Sequence, residues 1–180
     1  MVNIKIRIIF NNFQGIDENS SKQVREIIEK ERNRVYVKKL SEELGVNTIK
    51  SGEKIPDRIA GITFRLEGYE KEVISEKLSQ IINEIEDVGY EFTYEFCPAC
   101  IIFDDGGIDK KVLEDTINKK RLLGHGKIES SNMKMVDLNT KKPIICTFTL
   151  ECDNENFIEL LFEIVEDFKK LRYSFEVGGH

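Results

Sequence analysis

Gly15-Ile16-Asp17 and Gly107-Ile108-Asp109 are the two stretches whose comparison decides the fold. The first follows an apolar segment ending at Phe10 and a polar loop. The second follows an apolar segment ending at Phe103 and the loop Asp104-Asp105-Gly106. Each leads into a polar helix, in which Lys22, Val24 and Glu26 correspond to Lys110, Val112 and Glu114. Further on, Lys54-Ile55-Pro56 matches Lys141-Lys142-Pro143, just ahead of Thr63-Phe64-Arg65-Leu66-Glu67 against Thr147-Phe148-Thr149-Leu150-Glu151. Tyr90-Glu91-Phe92 and Tyr173-Ser174-Phe175 close the series, each after an amphipathic helix. Four matches in one order point to an internal duplication. Its period far exceeds the ~20 to 50 residues of a solenoid repeat, so each copy should be domain-sized, 1–96 and 97–180, packed together as one compact unit.

Hydropathy patterning supplies the elements. Ile4, Ile6 and Ile8 alternate with Lys5 and Arg7, the period of a half-buried strand. Ser20 and Gln23 have the form of a capping box, and Val24, Ile27 and Ile28 follow at helical spacing. Pattern alone leaves open whether this helix stops near Asn33 or runs through Leu40 and Leu44 to Gly45, a plausible stop signal. A hairpin is expected next, Val46 to Ile49 with Arg58 to Glu67, turning at Ser51-Gly52. Ile74, Leu78, Ile81, Ile85 and Val88 make the apolar stripe of a helix over 70–88, followed by a strand with Tyr90, Phe92, Tyr94 and Phe96 on alternate positions. The second copy reads as strand 100–103, helix 109–122, hairpin 133–138 with 144–151, helix 154–171 and strand 173–177. The β-α-β-β-α-β order predicts an α+β fold, a tandem of ferredoxin-like units with antiparallel sheets and helices on one face. Helix 154–171 carries eight large apolar residues on more than one stripe. Phe157 and Leu161 are therefore candidate interface residues, facing the other copy or a second chain.

The composition, 33% charged and 40% hydrophobic, is that of a folded chain and not of a disordered one. No segment is apolar over the ~18 residues a membrane span needs, and no export signal is visible, so a cytoplasmic location with reduced thiols is expected. A net charge of -6 and a pI near 5.2 argue against general nucleic-acid binding. Lys119-Lys120-Arg121 and Lys141-Lys142 are the densest basic clusters and read as solvated faces.

Few motifs carry chemistry. Cys97-Pro98-Ala99-Cys100 has redox or half-zinc-site spacing, but it lies between two apolar strands and not at a helix N-terminus. Core packing is the favoured reading for it. Zinc or redox use is the minor one, with Cys146 and Cys152 as the only further thiols. Asp104 and Asp105 at a strand end could hold magnesium, although a turn and helix start explain them as well. His125 and His180 are the only histidines, and no nucleophile stands in a recognisable setting, so an enzyme has little support and no cofactor is implied.

Two function classes remain. The loops holding Gly15, Asp17, Gly107 and Asp109 resemble the Gly-containing loop by which paired ACT domains bind small effectors. That resemblance implies a non-catalytic regulatory module with a small ligand at the strand-to-helix loops or between the copies, Asp104 and Asp105 included. The alternative is a small acidic inhibitor, of the immunity or anti-defence type, blocking a basic protein through surface acids such as Glu67, Glu70, Glu84, Glu86 and Asp87.

Overall fold

The computed structural model describes residues 1–30, 34–45, 57–103, 107–122, 127–135, 143–151 and 154–178, with backbone alone for 117–118, 120–122, 127–135, 143–151 and 155. The chain is a mixed α+β protein whose contacts divide it into two units, Lys5–Glu95 and Phe96–His180, the latter taking in Met1–Ile4.

In the Lys5–Glu95 unit the elements run β1 (Val2–Phe10), α1 (Glu18–Glu29), β2 (Tyr36–Leu44), β3 (Ile59–Gly68), α2 (Lys71–Glu86) and β4 (Phe92–Phe96), with strand order β2-β3-β1-β4. The alternation in β1 does what its period dictates: Ile6, Ile8 and Phe10 are buried while Lys5, Arg7 and Ile9 are half-buried on the other face. Ile62, Phe64 and Leu66 of β3 are fully buried. Val24 and Ile28 of α1, with Ile74, Leu78, Ile81 and Ile85 of α2, complete that core. The two helices pack against each other, α1 on β2 and β3 and α2 on β3, so one face of the strands is covered by both.

The strand partnering β3 is Tyr36–Leu44, where sequence patterning had left a helix open, and Tyr36 lies opposite Glu67 in an antiparallel register. The expected partner Val46–Ile49, its Ser51-Gly52 turn and the Lys54-Pro56 match lie outside the described residues. Charge hid this strand from a hydropathy reading. Lys39 and Glu42 sit opposite the core residues Phe64 and Ile62, and both are half-buried in ion pairs instead of being apolar. Glu42 receives Arg25 Nε of α1 at 2.7 Å and Lys39 Nζ at 3.0 Å, while Arg25 also reaches Asp57 at 2.9 Å. The Arg25 hydrogen bond holds the Glu42 carboxyl below the usual range, and the same bond raises Arg25. Inward-pointing charge of this kind keeps an outermost strand from pairing further. Leu40 falls at a bulge between Lys39 and Ser41 and, with Leu44, stays exposed. Gly45 does not end a helix. It follows β2 where a Cβ would overlap the Gln14 carbonyl, so the chain there needs a residue without a side chain.

The Phe96–His180 unit runs β5 (Ala99–Phe103), α3 (Lys110–Leu122), β6 (Lys127–Met135), β7 (Pro143–Glu151), α4 (Asn154–Lys170) and β8 (Phe175–Val177), in strand order β8-β5-β7-β6. The pairs β5–β7, β5–β8 and β6–β7 are antiparallel, and Val2 joins this unit in parallel register with Val177. The β6 strand begins six residues earlier than the expected Met133. Its N-terminal half, Ile128 opposite Leu150 and Ser130 opposite Phe148, is polar at most positions and gives no alternation to detect. The core contains Ile101, Phe103, Ile108, Leu113 and much of α4. Phe103 is its hub, meeting Phe168 edge-on at 5.3 Å between centroids and Phe175 at 5.9 Å. No helix of the described residues is long and apolar enough to cross a membrane.

Candidate functional site

The two Gly-Ile-Asp stretches take up the same local structure. Gly15 and Gly107 have φ of 80° and 74°, in the left-handed region, and Ile16 and Ile108 are completely buried. Asp17 then caps α1, accepting from the Ser20 amide at 2.9 Å and its hydroxyl at 2.6 Å. The Tyr90 hydroxyl, entering from the β4 side, donates to the same carboxylate at 2.6 Å. These hydrogen bonds, that from the Ser20 hydroxyl foremost and Tyr90 next, push the Asp17 carboxyl far below its ordinary range. Asp109 does the equivalent work at α3, accepting from the Lys111 amide at 2.9 Å and the Val112 amide at 3.3 Å. A Cβ at Gly15 would lie 2.9 Å from Arg58 Cβ. Gly15 and Gly107 thus form the turns, and Asp17 and Asp109 the caps, at the starts of α1 and α3. Asp104, Asp105, His125, His180 and Cys152 lie outside the described residues.

Cys97 and Cys100 are half-buried at the junction of β4 and β5, with the Cys100 carbonyl accepting from the Gly178 amide at 2.7 Å. Cys146 is placed by its backbone on β7, opposite Ile101 and Met133. Among the described residues no three His, Cys, Asp or Glu side chains converge closely enough to hold a metal ion. Phe157 and Leu161 are buried within the chain itself, and the Phe157 ring stacks on Phe96 with centroids 4.0 Å apart.

The surface acids separate by environment. Glu67 is half-buried: its side chain is 13% exposed and its carboxylate meets Arg65 Nε at 2.7 Å. Glu70 is exposed at the N-cap position of α2. Glu84 and Asp87, by contrast, line a cleft of about 710 Å³ between α1 and α2, facing Glu26 and Glu29 across it. Ile27 and Val88 supply apolar surface, and Lys30 is the one cation of the lining among the described residues. Lys22 stands 4.0 Å from Glu26 and Lys39 3.1 Å from Glu29, so part of this charge is offset by exposed or half-exposed pairs of little worth. The last turns of α1 and α2 hold no basic residue, whereas α4 ends in Lys169 and Lys170. Carboxylates at a helix C-terminus oppose the macrodipole, so this arrangement does not serve helix stability. Sequence reading found the α2 half of this surface in Glu84 and Asp87. It passed over Glu26 and Glu29 of α1, because the approach of α1 to α2 leaves no local signal in the sequence.

The other face of the same strands is charged and internally paired. Arg7 of β1 donates to Glu43 at 2.7 Å and to Glu95 at 3.2 Å, with Glu43 lying over Gly61. Phe10 and Phe64 are buried on the helix side.

A scan against protein-family models found no match for this chain, and a search of curated proteins found none either.

Proposed function

We propose that the chain is a non-catalytic binding protein built as a tandem of two ferredoxin-like units, and that it engages a basic protein partner at the acidic cleft between α1 and α2. The duplication is supported by the shared element order, by strand orders that correspond term for term, and by the repeated glycine, buried isoleucine and capping aspartate. The observation that carries the binding reading is the cleft, with four carboxylates against one lysine among the described residues, around apolar surface, and no basic residue in the last turn of either helix. Its carboxylates are spread along two helices and do not converge, which suits an extended cationic segment better than a single ion. Such complementarity speeds encounter and selects partners. Aromatic residues at Phe10 and Phe64 are turned into the core, which leaves them unavailable for base stacking.

Affinity capture from the source cell, with the wild type beside a Glu26→Lys, Asp87→Lys variant, tests this reading. A stoichiometric protein rich in Lys and Arg, retained by the wild type and lost with the variant, is the expected result. A small molecule co-purifying equally with both, and no protein, would favour an effector-sensing module instead.

A further inference from the structure

A second concavity, of about 570 Å³, opens where the C-terminal end of α2 passes to β4. Tyr90, Phe92 and Tyr94 line it with Ile82, and Glu86 and Glu91 add two exposed carboxylates. Among the described residues no Lys or Arg is part of the lining. We propose that this pocket binds an organic ammonium group, held by aromatic walls and two carboxylates.

The walls are fixed before any ligand arrives. Tyr90 is held through its hydroxyl, which donates to Asp17 at 2.6 Å. Phe92 is wedged edge-on against Phe10, with centroids 6.0 Å apart. Asn11, also in the lining, ties its loop to the strand by donating its amide to the Glu91 carbonyl at 3.0 Å. Aromatic surface attracts a cation through its ring quadrupole while tolerating alkyl groups, a combination that selects alkylated ammonium over hydrated metal ions. The negative end of α2, which lacks a basic residue in its last turn, adds to the attraction. Preorganised walls cut the ordering cost that would otherwise weaken so small a site. The pocket shares no lining residue with the α1/α2 cleft, so it stands or falls separately from the partner proposed there.

Amide chemical-shift titration of the whole chain with tetramethylammonium chloride, against equal sodium chloride and against neutral neopentyl alcohol, tests the proposal. Saturable shifts at Gly89, Tyr90 and Glu91 with the quaternary cation alone are expected. Tyr94→Leu should weaken the binding about two- to fivefold, the yield of one exposed cation–π contact. Glu91→Gln, at an exposed position, should weaken it without altering the melting curve. The Glu26→Lys, Asp87→Lys variant should bind the cation through the same residues as the wild type. Tighter binding of trimethyl-lysine amide than of choline would identify the source as a modified protein side chain, and the reverse a free small cation. Shifts that do not saturate, or equal shifts with the neutral alcohol, would overturn the proposal.

Discussion

Asp17 shows how one side chain can join two parts of a unit. It caps α1 and, through Tyr90, ties the start of that helix to the segment entering β4. Because its folded carboxyl is far more acidic than the ordinary value of 3.8, it contributes stability that is fully present above that value. The contribution is lost as pH falls from there toward the lower folded value. Asp17→Asn should therefore lower stability at neutral pH and flatten the acid side of the stability curve, as read by denaturant midpoints measured from pH 7 downward. A variant whose curve parallels the wild type at every pH would contradict the role given to this carboxylate. The residue itself was legible in the sequence, because a glycine, an apolar residue and an acid before a helical pattern spell a turn and a cap. The hydrogen bond from Tyr90 was not, because its donor lies 73 residues further along the chain.

Among the elements, those with apolar periodicity could be read and those organised by charge could not. The stripe of α2 and the alternation of β1 are buried as patterned. The β2 strand was missed because its inward positions hold Lys39 and Glu42, whose partners Arg25 and Glu29 lie on α1, beyond the reach of a local window. Removing a large core side chain from a legible element should be costly. Phe64→Ala, at a fully buried site, is expected to destabilise by about 3 to 5 kcal/mol in chemical denaturation. Phe148 occupies the corresponding strand β7, opposite Ala99 and Ser130. If the units are copies, its truncation should cost an amount of the same order, and a negligible effect there with a large one at Phe64 would count against the duplication. The end of α2 predicts the opposite sign. Asp87→Lys should raise stability by about 0.3 to 1 kcal/mol by complementing the helix dipole, while weakening partner binding. A loss of stability would indicate that the acid is retained for the fold.

At the scale of the molecule, the mixed α+β character was visible from the sequence, whereas the cleft was not. A surface assembled from α1 and α2, some sixty residues apart in the chain, leaves no local motif, and a net charge of -6 says nothing of where the charge collects. That cleft is the docking place proposed for a basic partner. The most direct measurement is chemical-shift mapping with a Lys- and Leu-bearing amphipathic peptide, beside a matched peptide in which Gln replaces Lys. Saturable shifts confined to Gln23, Glu26, Ile27, Glu84 and Val88, weakening as salt rises and absent in the Glu26→Lys, Asp87→Lys variant, are the predicted result. Shifts spread over exposed acids such as Glu43, Glu95 and Glu114, unchanged in that variant, would contradict it.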